Sequence, residues 1–362
     1  MLFVSFFPLE VDRRRTGLSI LDLPSTQLRE IISSLLITMV VCVGMENAKV
    51  RVLVTGGSGL VGRGMQEVLP EYDVAGQLWI FCSSKDVNLE NKQETMNFFR
   101  RWKPNKVIHL AAKVGGLFAN MDGNVEFFHS NMDMNANIVR CCHAFGVEKL
   151  VSCLSTCIFP DQAEYPISET ELHSGPPHTS NIGYSYAKRM VDVMNHIYGA
   201  QYHCKFTSVI PCNVYGKYDN FNLDSSHVIP GLIHKCYLAM LEQTPLVVSG
   251  SGMPLRQFLY SKDLARLLIW TLEEYDEVEP IILSVDEDAE TSIADLSKLI
   301  STSLGFKGGI VFDTLKSDGQ MKKTASNKKL RSYMPEFVFT SLEEGLKETC
   351  KWFVEAFHEA RK

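Results

Sequence analysis

A chain of 362 residues, 45% hydrophobic and 22% charged, is long enough to bury a large core without disulfide or metal staples, and its composition excludes a collagenous or disordered protein. A net charge of −6 argues against a nucleic-acid surface, leaving room only for a local basic groove that would take a phosphorylated ligand. Ten scattered cysteines, with no CxxC pair recurring at zinc spacing, fit reduced thiols in the cytoplasm, no metal centre and no disulfide framework.

Residues 1–48 do not resemble the rest and read as an N-terminal extension outside the fold. "MLFVSFF" is apolar, but "DRRR" follows it where a secretion signal would have its basic residues first. "IISSLLITMVVCVG", residues 31–44, is shorter than the roughly 20 residues a membrane span requires, so no membrane contact is expected. A docking helix and an upstream start, with Met45 as the alternative beginning, both remain open.

From residue 49 short apolar runs alternate with stretches of helical spacing. "KVRVLVTG", "LWIFCSS", "KVIHLAA", "LVSCLST" and "FTSVIPCNVYG" predict strands, and "NMDMNANIVRCCHAFG" and "YAKRMVDVMNHIYG" predict helices. That rhythm predicts an α/β protein with a Rossmann-like doubly wound parallel sheet. The nucleotide-binding domain is expected over 49–217, with segments near 260–290 returning to it. A smaller C-terminal α/β substrate-binding domain takes most of 218–362.

Directly after the first strand of this pattern, "VTGGSGLVGR" sets Gly56, Gly59 and Gly62 as GxxGxxG at the opening of a helix. A tight glycine turn lets backbone approach a pyrophosphate, which then sits on the helix N-terminus. Gly56, Gly57, Ser58, Gly59, Leu60, Val61, Gly62 and Arg63 are the candidate cofactor contacts. An NAD site has an acidic residue at the tip of the second strand, whereas this chain has Ser83, Ser84 and Lys85 there. Hydroxyls and cations suit a 2′-phosphate, so NADP(H) is the expected cofactor, with Asp86 an alternative contact for the adenine edge.

Farther on, a strand ends at Ser155 and a helix begins with "YSYAK". Tyr184 and Lys188 are four apart and share one helix face, whereas Tyr186 faces elsewhere. An ammonium beside a phenol favours the phenolate and is expected to lower its pKa, and such a tyrosine exchanges a proton with a carbonyl oxygen while hydride moves at its carbon. Ser155, at the C-terminal edge of a parallel strand, is set to hold the same carbonyl. His109, in "KVIHLAA", reads as a strand-end residue on the cofactor side. His129, His143 and His196 read as helix residues without a chemical role.

The glycine loop, "HLAAKVGG", Ser155 and the Tyr184–Lys188 pair together resemble the extended short-chain dehydrogenase/reductase family. Within it, "STCIFP", "TSNIGYSYAK", "PCNVYGKYDNF", "SHVIPGLIHK" and "GSGMPLRQF" are similar to the 3,5-epimerase/4-reductases of GDP-4-keto-6-deoxy-mannose, from residue 49 to the C-terminus. The resemblance implies NADPH-dependent conversion of that sugar to GDP-L-fucose, by inversion at C3 and C5 and then reduction at C4. It implies Pro211, Cys212, Asn213, Val214, Lys188 and His227 as further cofactor contacts. The hydrogens on C3 and C5 are both acidic, being alpha to the ketone, and inverting them requires a base on one face and an acid on the other. The resemblance implies Cys157 as that base and His227 as the opposing acid.

For the GDP group, Arg256 offers a guanidinium fork for phosphate oxygens. The resemblance adds Lys235, Asp318 and Lys323 as substrate contacts. Ser249 stands where relatives have a tryptophan, which removes an apolar surface from the substrate pocket. A homodimer through a four-helix interface is likewise implied by the resemblance. The nearest rivals are a nucleotide-sugar 4-epimerase or 4,6-dehydratase and a non-catalytic NADP sensor. Dehydratase-like members carry acidic residues where this chain has Cys157, and a retired enzyme should have lost Ser155, Tyr184 or Lys188.

Overall fold

The computed structural model describes residues 3–4 and 48–362. Its first half alternates strand and helix: β1 (Phe3–Val4), β2 (Val50–Thr55), α1 (Leu60–Val68), β3 (Gln77–Cys82), α2 (Lys92–Trp102), β4 (Lys106–His109), α3 (Leu117–Ala144), β5 (Lys149–Cys153), α4 (Ile182–Tyr202), β6 (Lys205–Pro211) and β7 (Asn213–Tyr215). There follow α5 (Val228–Glu242), β8 (Leu246–Ser249), β9 (Leu255–Arg256), β10 (Phe258–Tyr260), α6 (Ser261–Glu274), β11 (Ile281–Leu283), β12 (Thr291–Ser292), α7 (Ile293–Leu304), β13 (Ile310–Asp313), α8 (Lys328–Tyr333) and α9 (Leu342–Glu355).

Seven parallel strands form one sheet in the order β1-β3-β2-β4-β5-β6-β11. The order reverses at β2, whose neighbours β3 and β4 lie on either side, and a crevice opens at such a point above the strand C-termini. Both faces are covered, which is why the strand interiors are mostly apolar and buried. Val52 and Val54 join Met65 of α1 and Leu264 and Leu268 of α6 on one face. Leu53 joins Phe99 of α2, Ile138 of α3 and Phe206 on the other. Of residues 1–48, the structure describes residue 48 and Phe3–Val4, which pair in parallel with Trp79–Ile80 at the sheet edge; the apolar stretch 31–44 lies outside the described residues.

A second core gathers Phe221, Ile233, Leu346 and Phe353 around the β8–β13 pair, under α5, α7 and α9. Ser341 and Glu344 close a reciprocal cap at the start of α9. The two parts are joined by ions: Lys217 and Lys262 each bridge Glu67 of α1 and Glu348 of α9, at 2.6 to 3.2 Å. Among the described residues, no helix is long and apolar enough to cross a membrane.

Candidate active site

A cavity of about 910 Å³ opens above the reversal point, within the range of a cofactor site. Gly56, Ser58, Gly59, Leu60, Val61 and Gly62 form one wall. Gly56 has φ +69°, and a Cβ there would come within 2.9 Å of the Ala111 amide nitrogen; one on Gly62 would meet the Gly57 Cα at 2.6 Å. Side chains at these positions would fill the cradle or force the turn apart. The residues present therefore fit a dinucleotide whose pyrophosphate rests on the α1 N-terminus. Gly57 packs against Phe81, outside the wall.

At the end of β3, Ser83 and Ser84 line the cavity, but Arg63 and Lys85, expected at the ribose, and Asp86, expected at the adenine edge, do not. Asp86 turns back to accept from the Ser83 amide and hydroxyl at 2.8 and 2.7 Å, so its carboxylate closes its own loop. Arg63 lies over the Tyr218 ring, 5.4 Å from its centroid, drawn to the π face. Lys85 is exposed beside the wall. Hydroxyls, not cations, form this end of the pocket.

Ser155, Tyr184, Lys188, Pro211, Cys212, Asn213, Val214 and His227 line the other end. The α4 helix is pinned there by three bonds to the turn after β5. Lys188 Nζ donates to the Cys153 carbonyl at 2.7 Å, Ser185 Oγ to the Cys157 carbonyl at 2.9 Å, and Arg189 Nε to the Ile158 carbonyl at 2.6 Å. These bonds fix Tyr184 and Lys188 relative to Ser155, which begins the single 3₁₀ turn Thr156–Ile158. Lys188 Nζ sits 5.8 Å from the Tyr184 ring centroid. The expected lowering of the phenol is corrected here. Burial pushes Tyr184 well above its ordinary pKa, and the neighbouring Cys157 and Cys153 act in the same direction. Burial also lowers the Lys188 ammonium. In this pocket the tyrosine is held as an acid. Tyr186 carries Arg189 at 5.5 Å and is not in the wall.

Cys157 is half-buried just outside the cavity wall, within charge reach of Tyr184, Lys188 and Lys323. His227 caps the start of α5 and is open to the cavity, yet the surrounding walls push its imidazole below the ordinary value.

His109 is buried at the end of β4, behind the cavity wall. Its Nδ1 meets Thr55 Oγ1 at 2.8 Å and its Nε2 meets Asn135 Oδ1 at 3.0 Å. Burial, with Lys188 nearby, pushes it down to about 3. Asn135 in turn donates to the Ala187 carbonyl at 3.3 Å, so a neutral histidine links β2, β4, α3 and the helix of Tyr184. Asn131 clamps both the amide and carbonyl of Lys113 at 3.0 Å, holding the "AAKVGG" loop over the cavity. The signal for both asparagines was their spacing, one turn apart and so on one face of α3.

The expected substrate residues are brought together in part. Arg256 donates to the Leu255 and Gln320 carbonyls at 2.7 and 2.5 Å. Asp318 Oδ1 accepts the Ser251 amide at 2.7 Å. Burial lowers the Lys323 ammonium, whose titratable neighbours are Cys157, Arg256 and Asp161. The 318–323 segment thus wraps the 250–256 turn and carries Lys323 toward Cys157. Lys235, half-buried on α5, and Ser249, exposed at the end of β8, stand outside the cavity wall.

A doubly wound sheet, a glycine cradle and a Ser-Tyr-Lys group at the strand ends define a dinucleotide-dependent enzyme of the short-chain dehydrogenase type. The sequence profile of the NAD dependent epimerase/dehydratase family matches residues 52–285, and the chain belongs to that family. It is 55% identical to the GDP-L-fucose synthase of Dictyostelium discoideum over 87% of this chain and 98% of that one. A probable GDP-L-fucose synthase of Drosophila melanogaster is 51% identical over 86% and 99%. Among solved structures, a GDP-L-fucose synthetase from Naegleria fowleri bound to NADP matches with a TM-score of 0.84 and 48% identity, over 87% of this chain and 95% of that one.

Proposed function

We propose that this protein converts GDP-4-keto-6-deoxy-mannose to GDP-L-fucose in two steps, epimerisation at C3 and C5 followed by NADPH-dependent reduction at C4. The observation that carries the reading is a thiol, Cys157, two residues beyond Ser155 and within charge reach of both Tyr184 and Lys323. It occurs in a chain that spans 98% of a GDP-L-fucose synthase at 55% identity.

Cys157 takes a proton from C3 or C5, and His227 returns one from the opposite face. A thiol and an imidazole are both close enough to neutral pH to change hands with a carbon acid activated by its ketone. Ser155 holds the ketone oxygen by a hydrogen bond during enolisation and reduction. Bound NADPH supplies the hydride for C4. Tyr184, which burial keeps protonated, gives the oxygen its proton at that step. Lys188, anchored on the Cys153 carbonyl, holds the pocket polar beneath it. Arg256, Lys323, Asp318 and Lys235 serve the GDP group, and Ser249 leaves the nucleotide end more open than a tryptophan would. The assay is product identification by NMR after incubation with the keto sugar and NADPH. GDP-L-fucose is expected, and a 6-deoxyhexose of unaltered C3 and C5 would overturn the epimerase half.

The same reading includes a cytoplasmic homodimer. Every described cysteine is a free thiol, as a reducing compartment favours. The outward faces of α3 and α4 carry Met121, Val125, Ile182 and Ile197 at 37 to 73% exposure, an apolar surface that a two-fold mate would cover.

A further inference from the structure

The cavity must take a polyanion, yet its glycine wall carries no charge. Among the described residues lining it, the lysines and arginines are Lys113, Lys188 and Arg361. Lys113 is paired with Glu126. Lys188 is buried at the Tyr184 end against a carbonyl. Arg361 comes from the segment after α9, far in sequence from every nucleotide-binding motif. Its backbone is fixed: it bridges Asn220 in parallel, and its carbonyl accepts the Phe221 amide at 2.8 Å. Its guanidinium donates to the Tyr218 carbonyl at 3.1 Å, which uses one of five N–H donors.

The chain beside it is also poised. Asp219 is 4% exposed. Its Oδ1 accepts the Asn220 amide at 2.7 Å, while its buried Oδ2 has no hydrogen-bond partner among the described residues. Burial pushes this carboxyl up to about 7 against the pull of Arg361. A carboxyl pushed up in this way neutralises the guanidinium beside it only in part. The 216–226 loop that carries Asp219 also presses on the start of α3, where the Gly116 amide donates to the Ser225 carbonyl at 3.1 Å.

We propose that Arg361 is a cofactor-binding residue: the segment after α9 delivers its guanidinium to the cavity, oriented by the Tyr218 carbonyl, to engage the pyrophosphate of the dinucleotide above Gly59–Val61. This rests on the NADP reading of the cavity. Arg361 belongs to the Asn220 side of the site and the ribose end is formed by Ser83 and Ser84, so the pyrophosphate is the anion it meets. The α1 N-terminus offers peptide N–H groups to that anion, and the guanidinium adds the mobile charge and bidentate geometry that backbone lacks.

The test is fluorescence titration of NADPH and of NADH into wild type, Arg361→Gln and Arg361→Lys, without sugar substrate. Arg361→Gln should weaken both dinucleotides by a common factor, roughly 10- to 100-fold for one charged hydrogen-bonded contact. Its affinity should also depend less steeply on salt. Arg361→Lys, which keeps the charge and the backbone pairing, should recover most of the loss. Thermal melting without cofactor should be unchanged in both variants, while the NADPH-induced upshift shrinks for Arg361→Gln. Unaltered binding of both dinucleotides by Arg361→Gln overturns the proposal, and so does a loss confined to NADPH, which would put the residue at the 2′-phosphate. Wild type that binds neither dinucleotide overturns the cofactor reading itself, a result distinct from either.

Discussion

In the proposed reaction Cys157 and Tyr184 serve one ketone through different atoms, and that separates two half-reactions experimentally. Cys157→Ser is nearly isosteric and leaves the Ser185 bond to the residue 157 carbonyl in place. A serine hydroxyl is far too weak an acid to form an anion near neutral pH, whereas a cysteine is already a few per cent thiolate there. Loss of one general base costs roughly 10²- to 10⁴-fold. In deuterated water, wild-type product should carry deuterium at C3 and C5 and the Cys157→Ser product little, while reduction at C4 survives. Tyr184→Phe should do the reverse, exchanging at both carbons while hydride transfer nearly stops. Wild-type deuterium uptake by Cys157→Ser would move the base to another residue. The glycine turn and the Tyr184–Lys188 pair were legible as local patterns, a strand–helix turn and a four-residue spacing, whereas Cys157 was singled out through the family resemblance. The depressed phenol was the wrong inference, since i, i+4 spacing gives proximity but not dielectric. Burial of the whole group outweighs the single ammonium.

The elements were legible in the same proportion as their patterns were local. Strands from β2 to β6 are apolar runs bounded by turn residues, so both their existence and their parallel pairing followed from sequence. The bonds that fix α4 against the β5 turn were not, because they join side chains to carbonyls some 30 residues away. Arg361 escaped notice for the same reason: its partner, Tyr218, is 143 positions distant. The seam between α1, α6 and α9 is another long-range feature, and it makes a prediction about acid. Glu348 is held down to about 2 in the fold: burial acts to raise it, but the contacts from Lys217 and Lys262 outweigh that. A carboxyl depressed from 4.5 contributes stability that is complete above its unfolded value and is lost as pH falls from about 4.5 toward 2. The side chain is 38% exposed, so solvent screening limits the effect to about 1 kcal/mol. Glu348→Gln should therefore lower the denaturant midpoint at pH 7, and the gap from wild type should narrow by pH 3. A gap that stays constant across that range would show that the seam is held by packing alone.

At the scale of the whole molecule, the helix that carries Tyr184 and Lys188 has a back. Its inner face gives Ser185, Lys188 and Arg189 to the site, and its outer face, with that of α3, is left open. Met121 and Val125 are four apart on α3 and 53 and 73% exposed; Ile182 and Ile197 on α4 are 37 and 53% exposed. Two antiparallel copies of such a helix pair bury these side chains against each other, and an isologous two-fold contact uses one patch twice, which makes it the commonest way to cover an apolar face. Sedimentation velocity at micromolar concentration should give a dimer. Val125→Glu together with Ile197→Glu places four like charges in the two-fold contact, and it should yield a monomer whose sheet core is untouched. Because α4 also sets Tyr184 and Lys188, the monomer should lose turnover more than NADPH affinity, for the glycine cradle is carried by the turn between β2 and α1 and not by that helix. A wild type that sediments as a monomer, or a double variant that remains dimeric, sinks the interface and leaves the open face of α3 and α4 to some other partner.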